Sequence, residues 1–211
     1  MVEWNRILQE EGYSLEEPDE SVVSFFTFLK TKSKKGRVLD LGCGGGRHLI
    51  YMANQGFEAY GIDISETGLN LSKERLRRQG LEGYILKCDM SQLPYVDSCF
   101  DVAVCLYTIY HQKLKRIQET ISEIHRVLRK GSFLLLNFHS KKSSKYGKGE
   151  KVEEGTFIQQ NGPEKGVIHH FTDKEEIMEL LKSFKTVNVE LREQKPVDGY
   201  LQSRLIVIAS V

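Results

Sequence analysis

Four glycines fall within the seven residues Asp40-Leu41-Gly42-Cys43-Gly44-Gly45-Gly46, and an acid opens the run. Glycine at that density serves a tight turn and the close approach of a ligand to the backbone. Val38, Leu39 and Leu41 precede the loop and a helical pattern follows it. The loop therefore joins a buried strand to a helix N-terminus, whose first N–H groups are free to face a ligand. The spacing departs from the dinucleotide fingerprint, because its third glycine would fall where Arg47 stands. An acid ahead of the glycines sits badly beside a pyrophosphate and well beside a cationic ligand. Two more acids share this placement. Asp63 closes the second apolar run, 21 residues after Gly42, and Asp89 closes the third in Lys87-Cys88-Asp89-Met90. A carboxylate at 63 can accept from both hydroxyls of a ribose, and one at 89 from an adenine amino group. Singly, each acid reads equally well as a helix cap. Three at successive strand ends around one glycine loop point to a ligand site.

Tyr107, His111 and His139 follow the fourth and fifth strands and are the candidates for catalytic work. Imidazole and phenol can exchange a proton with a reacting group. His169 and His170 precede a capped helix and are candidate substrate residues. So are Trp4 and Tyr13 of the N-terminal arm, which would close over the site; packing against the sheet is their structural alternative. The cysteines Cys43, Cys88, Cys99 and Cys105 show neither a CxxC pair nor a framework spacing. Reduced thiols and no metal are expected.

The elements that must position these residues are legible from periodicity. Strands are expected over 38–41, 57–62, 84–88, 100–106 and 133–138. The helix after the glycine loop carries Leu49, Met52 and Ala53 and stops at Gly56; the next is capped by Ser65 and ends at Gly80. The clearest stripe is Leu114, Ile117, Ile121, Ile124 and Leu128, with Gly131 as its terminator. Thr172 with Glu175 reads as a capping box. The closing strands, 187–191 and 205–209, are separated by a stretch too short for a crossover helix, so they should run antiparallel. Alternating strands and helices give an α/β class with a sheet covered on both faces. Residues 1–36 are expected as a helical arm and 140–170, rich in lysine and glycine, as a long loop placed to act as a lid. A chain of 211 residues suits a single domain over 1–211.

On these motifs the chain resembles the class I S-adenosyl-L-methionine (SAM)-dependent methyltransferases over 37–138. The residues that carry the resemblance are 38–48, Gly61-Ile62-Asp63-Ile64-Ser65, Cys88-Asp89-Met90 with Leu93-Pro94, the strand 100–104, and Leu128-Arg129-Lys130-Gly131-Ser132-Phe133-Leu134. The resemblance implies a three-layer sandwich with a seven-stranded, mostly parallel sheet, its last strand antiparallel. It implies that SAM is bound and that S-adenosyl-L-homocysteine (SAH) is the product. Backbone around Gly42, Cys43, Gly44 and Gly46 would hold the methionine part, with Asp40 orienting the loop. Asp63 would bind ribose, Ile64 would lie against adenine, and Asp89 and Met90 would read adenine. Cys105 and Leu106 would border the sulfonium, and Arg47 and His48 would reach the carboxylate.

The acceptor is less defined. Lys and Arg total 30 against 29 for Asp and Glu, which lends no support to nucleic-acid or membrane-surface binding. No run approaches the ~18 apolar residues of a membrane span, and the polar start lacks a secretion signal, so a cytoplasmic location is expected. Cys105-Leu106-Tyr107-Thr108-Ile109-Tyr110 lacks the prolines that follow the fourth strand in nucleic-acid amino methyltransferases. A small-molecule acceptor is the leading reading. An RNA or protein methyltransferase, or a non-catalytic SAM- or SAH-binding module, stays open beside it. A nicotinamide oxidoreductase is disfavoured by Arg47 and Asp40.

Overall fold

The computed structural model describes residues 2–10, 15–32, 35–195 and 201–211. In chain order the elements are α1 (Val2–Ile7), α2 (Glu20–Thr31), β1 (Arg37–Leu41), α3 (Arg47–Asn54), β2 (Glu58–Asp63), α4 (Glu66–Arg78), β3 (Tyr84–Lys87) and β4 (Phe100–Cys105). They continue with α5 (Leu114–Val127), β5 (Leu128–Ser140), β6 (Glu150–Glu153), β7 (Thr156–Ile158), β8 (Ile168–Thr172), α6 (Lys174–Leu180), β9 (Thr186–Gln194) and β10 (Gln202–Ser210).

Seven strands form the central sheet in the order β3-β2-β1-β4-β5-β10-β9. The first five pair in parallel, and β10 runs antiparallel to both β5 and β9. Strand order reverses between β1 and β4, the place where open parallel sheets open a ligand crevice at their carboxyl ends. Alternate residues of β1 serve two cores. Val38 joins α2 and α3 through Phe25, Phe26, Leu49 and Met52, while Leu39 and Leu41 face α5 and α6 through Ile117, Ile121, Ile124 and Ile177. The apolar stripe of α5 is thus what docks it. Ile117, Ile121 and Ile124 are fully or almost fully buried, each contributing about 1.5–3 kcal/mol relative to exposure. Among the described residues no helix is long and apolar enough to cross a membrane.

Three expectations need correction. Helix α5 ends at Val127, four residues before Gly131. Leu128 already pairs with Phe100, and Arg129 is drawn away by the Asp101 carboxylate at 2.6 Å, so tertiary contacts override a helix-compatible sequence. The cap of α6 lies one residue later than Thr172. Asp173 accepts from the Glu176 N–H at 2.9 Å, and the Thr172 hydroxyl donates to the Glu176 carboxylate at 2.9 Å. The segment 140–170 is no loop throughout. It contains β6 and β7, a hairpin turning at Gly155, and runs into β8. β8 takes the side of β5 that β4 has vacated, pairing His139 with Phe171 and Ser140 with Thr172 in parallel. Among the described residues the central sheet has the expected seven strands, and this ribbon brings the total to ten. Its strands are short and bury His and Thr at inward positions, so apolar alternation does not mark them.

Candidate active site

The glycine loop leaves β1 with Gly42 at φ +72°, and its turn is closed by the N–H groups of Gly42 and Cys43 donating to the Ile62 carbonyl at 2.8 and 2.9 Å. A side chain at Gly42 would overlap Thr108. The next glycines are pressed against α4. The Ser72 hydroxyl donates to the Gly44 carbonyl at 2.7 Å, and Arg75 donates to the Gly45 carbonyl at 2.8 Å and the Leu15 carbonyl at 3.0 Å. A Cβ at Gly46 would come within 2.5 Å of the Ser72 hydroxyl. Much of the glycine requirement is therefore packing against neighbouring elements, and the remaining face of the loop opens to a cavity of about 800 Å³.

Asp63, at the end of β2, holds the loop from the other side. One oxygen accepts from the Gly44 N–H and the other from the Ser65 N–H, both at 2.8 Å. Burial raises its pKa, and these backbone donors oppose the rise. Asp89 accepts from the N–H and hydroxyl of Ser91 at 2.9 and 2.8 Å, and its second oxygen pairs with Arg116 across the cavity rim. Ile64 and Met90 line the wall between the two acids.

Gly42, Cys43, Gly44, Arg47, Asp63, Ile64, Asp89, Met90, Leu106, Tyr107, His111, His139 and Trp4 all line this one cavity. Asp40, Gly46 and Cys105 lie behind the wall. Asp40 is buried under the loop with one carboxyl oxygen lacking a hydrogen bond, and burial pushes its pKa up to about 7. Gly46 is the left-handed N-cap of α3. The Cys105 side chain faces the α5 core. His48 lines the cavity but is held neutral, its pKa pushed down to about 3 by burial and by the neighbouring Arg47 charge. Only Arg47 of that pair offers a cation.

The family model for a methyltransferase domain matches residues 39–136. YqeM of Bacillus subtilis, a methyltransferase by name, is 31% identical over 146 residues, covering 68% of this chain and 57% of that protein. The 2-phytyl-1,4-naphtoquinone methyltransferase of Nostoc punctiforme is 34% identical over 108 residues, 48% of this chain and 46% of that protein. The chain thus spans about half the length of these curated relatives. Among solved structures, a SAM-dependent methyltransferase from Methanosarcina mazei is 25% identical with a TM-score of 0.73, covering 87% of this chain and 96% of that one. Residues 39–136 thus match a methyltransferase domain, on a fold shared with a SAM-dependent methyltransferase.

Across the β1–β4 crevice from the acids, the chain presents an aromatic and basic wall. Tyr107 is in the left-handed region at φ +62°, a conformation that costs a non-glycine residue of order 1 kcal/mol or more. Its N–H donates to the Asn137 side chain at 2.8 Å, and its hydroxyl donates to the Asp19 carboxylate, which pins it in place. The guanidinium groups of Arg47 and Arg204 lie 5.2 and 5.0 Å from its ring centre. Burial and the Asp19 hydrogen bond push its pKa up to about 12, so Tyr107 shapes the wall and is a poor proton donor. The His139 ring lies 4.0 Å from that of Tyr110 and stacks on His169 at 5.0 Å, and Trp4 meets His111 edge-on at 4.7 Å. Burial lowers the pKa of His111 to about 3 and that of His139 well below the usual imidazole range.

His169 and His170 do not reach the cavity. His169 is fully buried behind His139. His170 braces β7 to α6, contacting the Thr156 hydroxyl at 2.7 Å and the Glu176 carboxylate at 3.0 Å. Tyr13 lies outside the described residues. Of the five lysines at 141, 142, 145, 148 and 151, only Lys145 lines the cavity. Asp19, Arg116, Glu164 and Arg204 line it as well, and no sequence signal marked them. Arg204 arrives because β10 pairs it with His139, a register no local pattern reveals.

Proposed function

We propose that the chain transfers a methyl group from SAM to a small-molecule acceptor, with SAH as the second product. The observation that carries this is one cavity with the glycine loop, Asp63 and Asp89 on one side of the crevice and neutral histidines, Tyr110 and Arg204 on the other. Its volume of about 800 Å³ falls within the range typical of small-molecule sites, roughly 300–1,000 Å³. The relative named for a naphthoquinone acceptor supports the same class.

The residues present fit SAM. The carboxylates of Asp63 and Asp89 line the cavity beside the loop and a buried, unpaired oxygen of Asp40 lies beneath it, acidic surroundings suited to a cationic, hydroxyl-bearing group. Asp63 would bind the ribose, Ile64 and Met90 would flank adenine, Asp89 would take its amino group, and Arg47 the carboxylate. When bound, SAM supplies an electrophilic methyl carbon on a sulfonium leaving group. The protein's task is then alignment of the acceptor and exclusion of water, which can supply on the order of 7–11 kcal/mol in favourable cases. His111 and His139, uncharged at neutral pH, accept hydrogen bonds from an acceptor hydroxyl or amine and orient it. With pKa values this low they hold a proton poorly, so fast general-base catalysis is not their contribution.

Incubation with methyl-labelled SAM and a metabolite extract tests this. A labelled small molecule should form in step with SAH. Bound SAH without any labelled product, across extracts, would point to a binding module instead.

A further inference from the structure

Among the described residues, one group of ligand-type side chains forms a set that methyl transfer alone does not require. His111, Glu164 and His169 each put a donor atom within 4.8 Å of the other two. They come from the turn after β4, the loop before β8, and β8 itself. Nε2 of His169 lies 3.2 Å from Oε2 of Glu164, yet neither ring nitrogen of His169 makes a hydrogen bond and the residue is fully buried. A buried imidazole with both nitrogens unpaired is a costly arrangement that calls for a partner. The contact is badly aligned for an N–H donor. It is close to the spacing of two ligands on one ion, since donors about 2.1 Å from a tetrahedral centre lie roughly 3.4 Å apart. His111 is oriented by its Nδ1, 3.2 Å from the Ile168 carbonyl, the kind of backbone contact that fixes metal-binding imidazoles. The rings of His111 and His169 meet edge-on at 4.7 Å.

We infer that His111, Glu164 and His169 form a site for a divalent transition-metal ion on the acceptor side of the cavity. Two imidazoles and a carboxylate suit zinc, cobalt, nickel or iron(II), and match poorly the all-oxygen shells of magnesium and calcium. Three protein ligands leave a coordination position open, as reactive metal sites do. His111, Glu164 and Ile168 line the cavity, so that position is reached from within it. An acceptor hydroxyl, thiol or carboxylate would bind there. Lys145, 3.7 Å from the Glu164 carboxylate, is a competing cation that an ion would displace. Cysteine spacing, on which no metal is expected, is blind to this set of two histidines and a glutamate.

Protein stripped with a chelator and titrated with Zn²⁺ by calorimetry, and with Co²⁺ by visible absorption, tests the site. One ion should bind per chain, with a cobalt ligand-field band. Glu164→Gln and His111→Gln should each weaken Zn²⁺ binding at least 10-fold while circular dichroism shows both variants folded. No binding to the wild type, or unchanged affinity in both folded variants, would overturn the inference. SAH titration of the same wild-type sample separates the two readings. Protein that binds SAH but no metal sinks this site alone, and protein that binds metal but not SAH sinks the methyltransferase reading alone.

Discussion

Asp40 and Gly42, two residues apart, make different demands on the same loop. The Asp40 carboxyl is pushed up to about 7 by burial, with Arg47 opposing and Asp63 adding to the rise; in the unfolded chain it titrates near 3.9. Between those values the folded state binds the extra proton. The contribution of Asp40 to stability is therefore complete below about pH 4 and is lost as pH rises to about 7. Relative to Asp40→Asn, the wild type should lose up to about 4 kcal/mol across that window. Urea unfolding in a pH series measures the difference, and parallel profiles would rule out the buried titration. Gly42 is needed for geometry. Gly42→Ala combines a strained φ with overlap onto Thr108, and should cost about 2–4 kcal/mol. Gly80→Ala, also at positive φ but with open space around it, should cost only about 1 kcal/mol. Equal losses in thermal unfolding would mean that strain alone accounts for Gly42. The acids Asp63 and Asp89 were readable because strand ends and spacing place them. Asp19, Glu164 and Arg204 were not, because each reaches the cavity through a contact between segments distant in sequence.

Helix α4 is the element on which the site most depends, although its Arg75 and Ser72 do not line the cavity. Ser72 and Arg75 hold the carbonyls of Gly44 and Gly45 from behind. Arg75→Met keeps the apolar stem and removes these charged donors. It should cost about 1–3 kcal/mol of stability and weaken SAH binding about 10-fold. Full SAH affinity in a destabilised variant would show that the loop keeps its shape without the helix. Strand and helix identities in the first half of the chain were legible from periodicity, because β1, β2, β4 and the facing helices bury long apolar runs. The β6–β8 ribbon was not. Its buried positions include Thr156, His169 and His170, polar residues that are covered only once the ribbon packs on β5 and the aromatic cluster of Tyr146, Phe157 and Phe171.

At the scale of the whole molecule, the reversal of strand order between β1 and β4 sets the glycine loop and its acids on one side of the cavity and the aromatic, basic wall on the other. β5 is the hinge of that arrangement, bonded to β4 along its first part, to β10 along one edge, and to β8 beyond the end of β4. The β8 ribbon and α1, whose Trp4 meets His111 and whose Arg6 donates to the Pro163 carbonyl at 2.8 Å, complete the aromatic wall. The seven-strand sheet follows from the alternation of elements; the closing of its crevice depends on segments with weak periodicity. Equilibrium unfolding with and without ligand tests the central claim most directly. A saturating ligand at about 100 times its dissociation constant adds about 2.7 kcal/mol. SAH should stabilise the wild type by an amount of that order, NAD should not, and Asp63→Ala should lose most of the gain. Stabilisation by NAD without SAH, or an undiminished response to SAH in Asp63→Ala, would contradict the account.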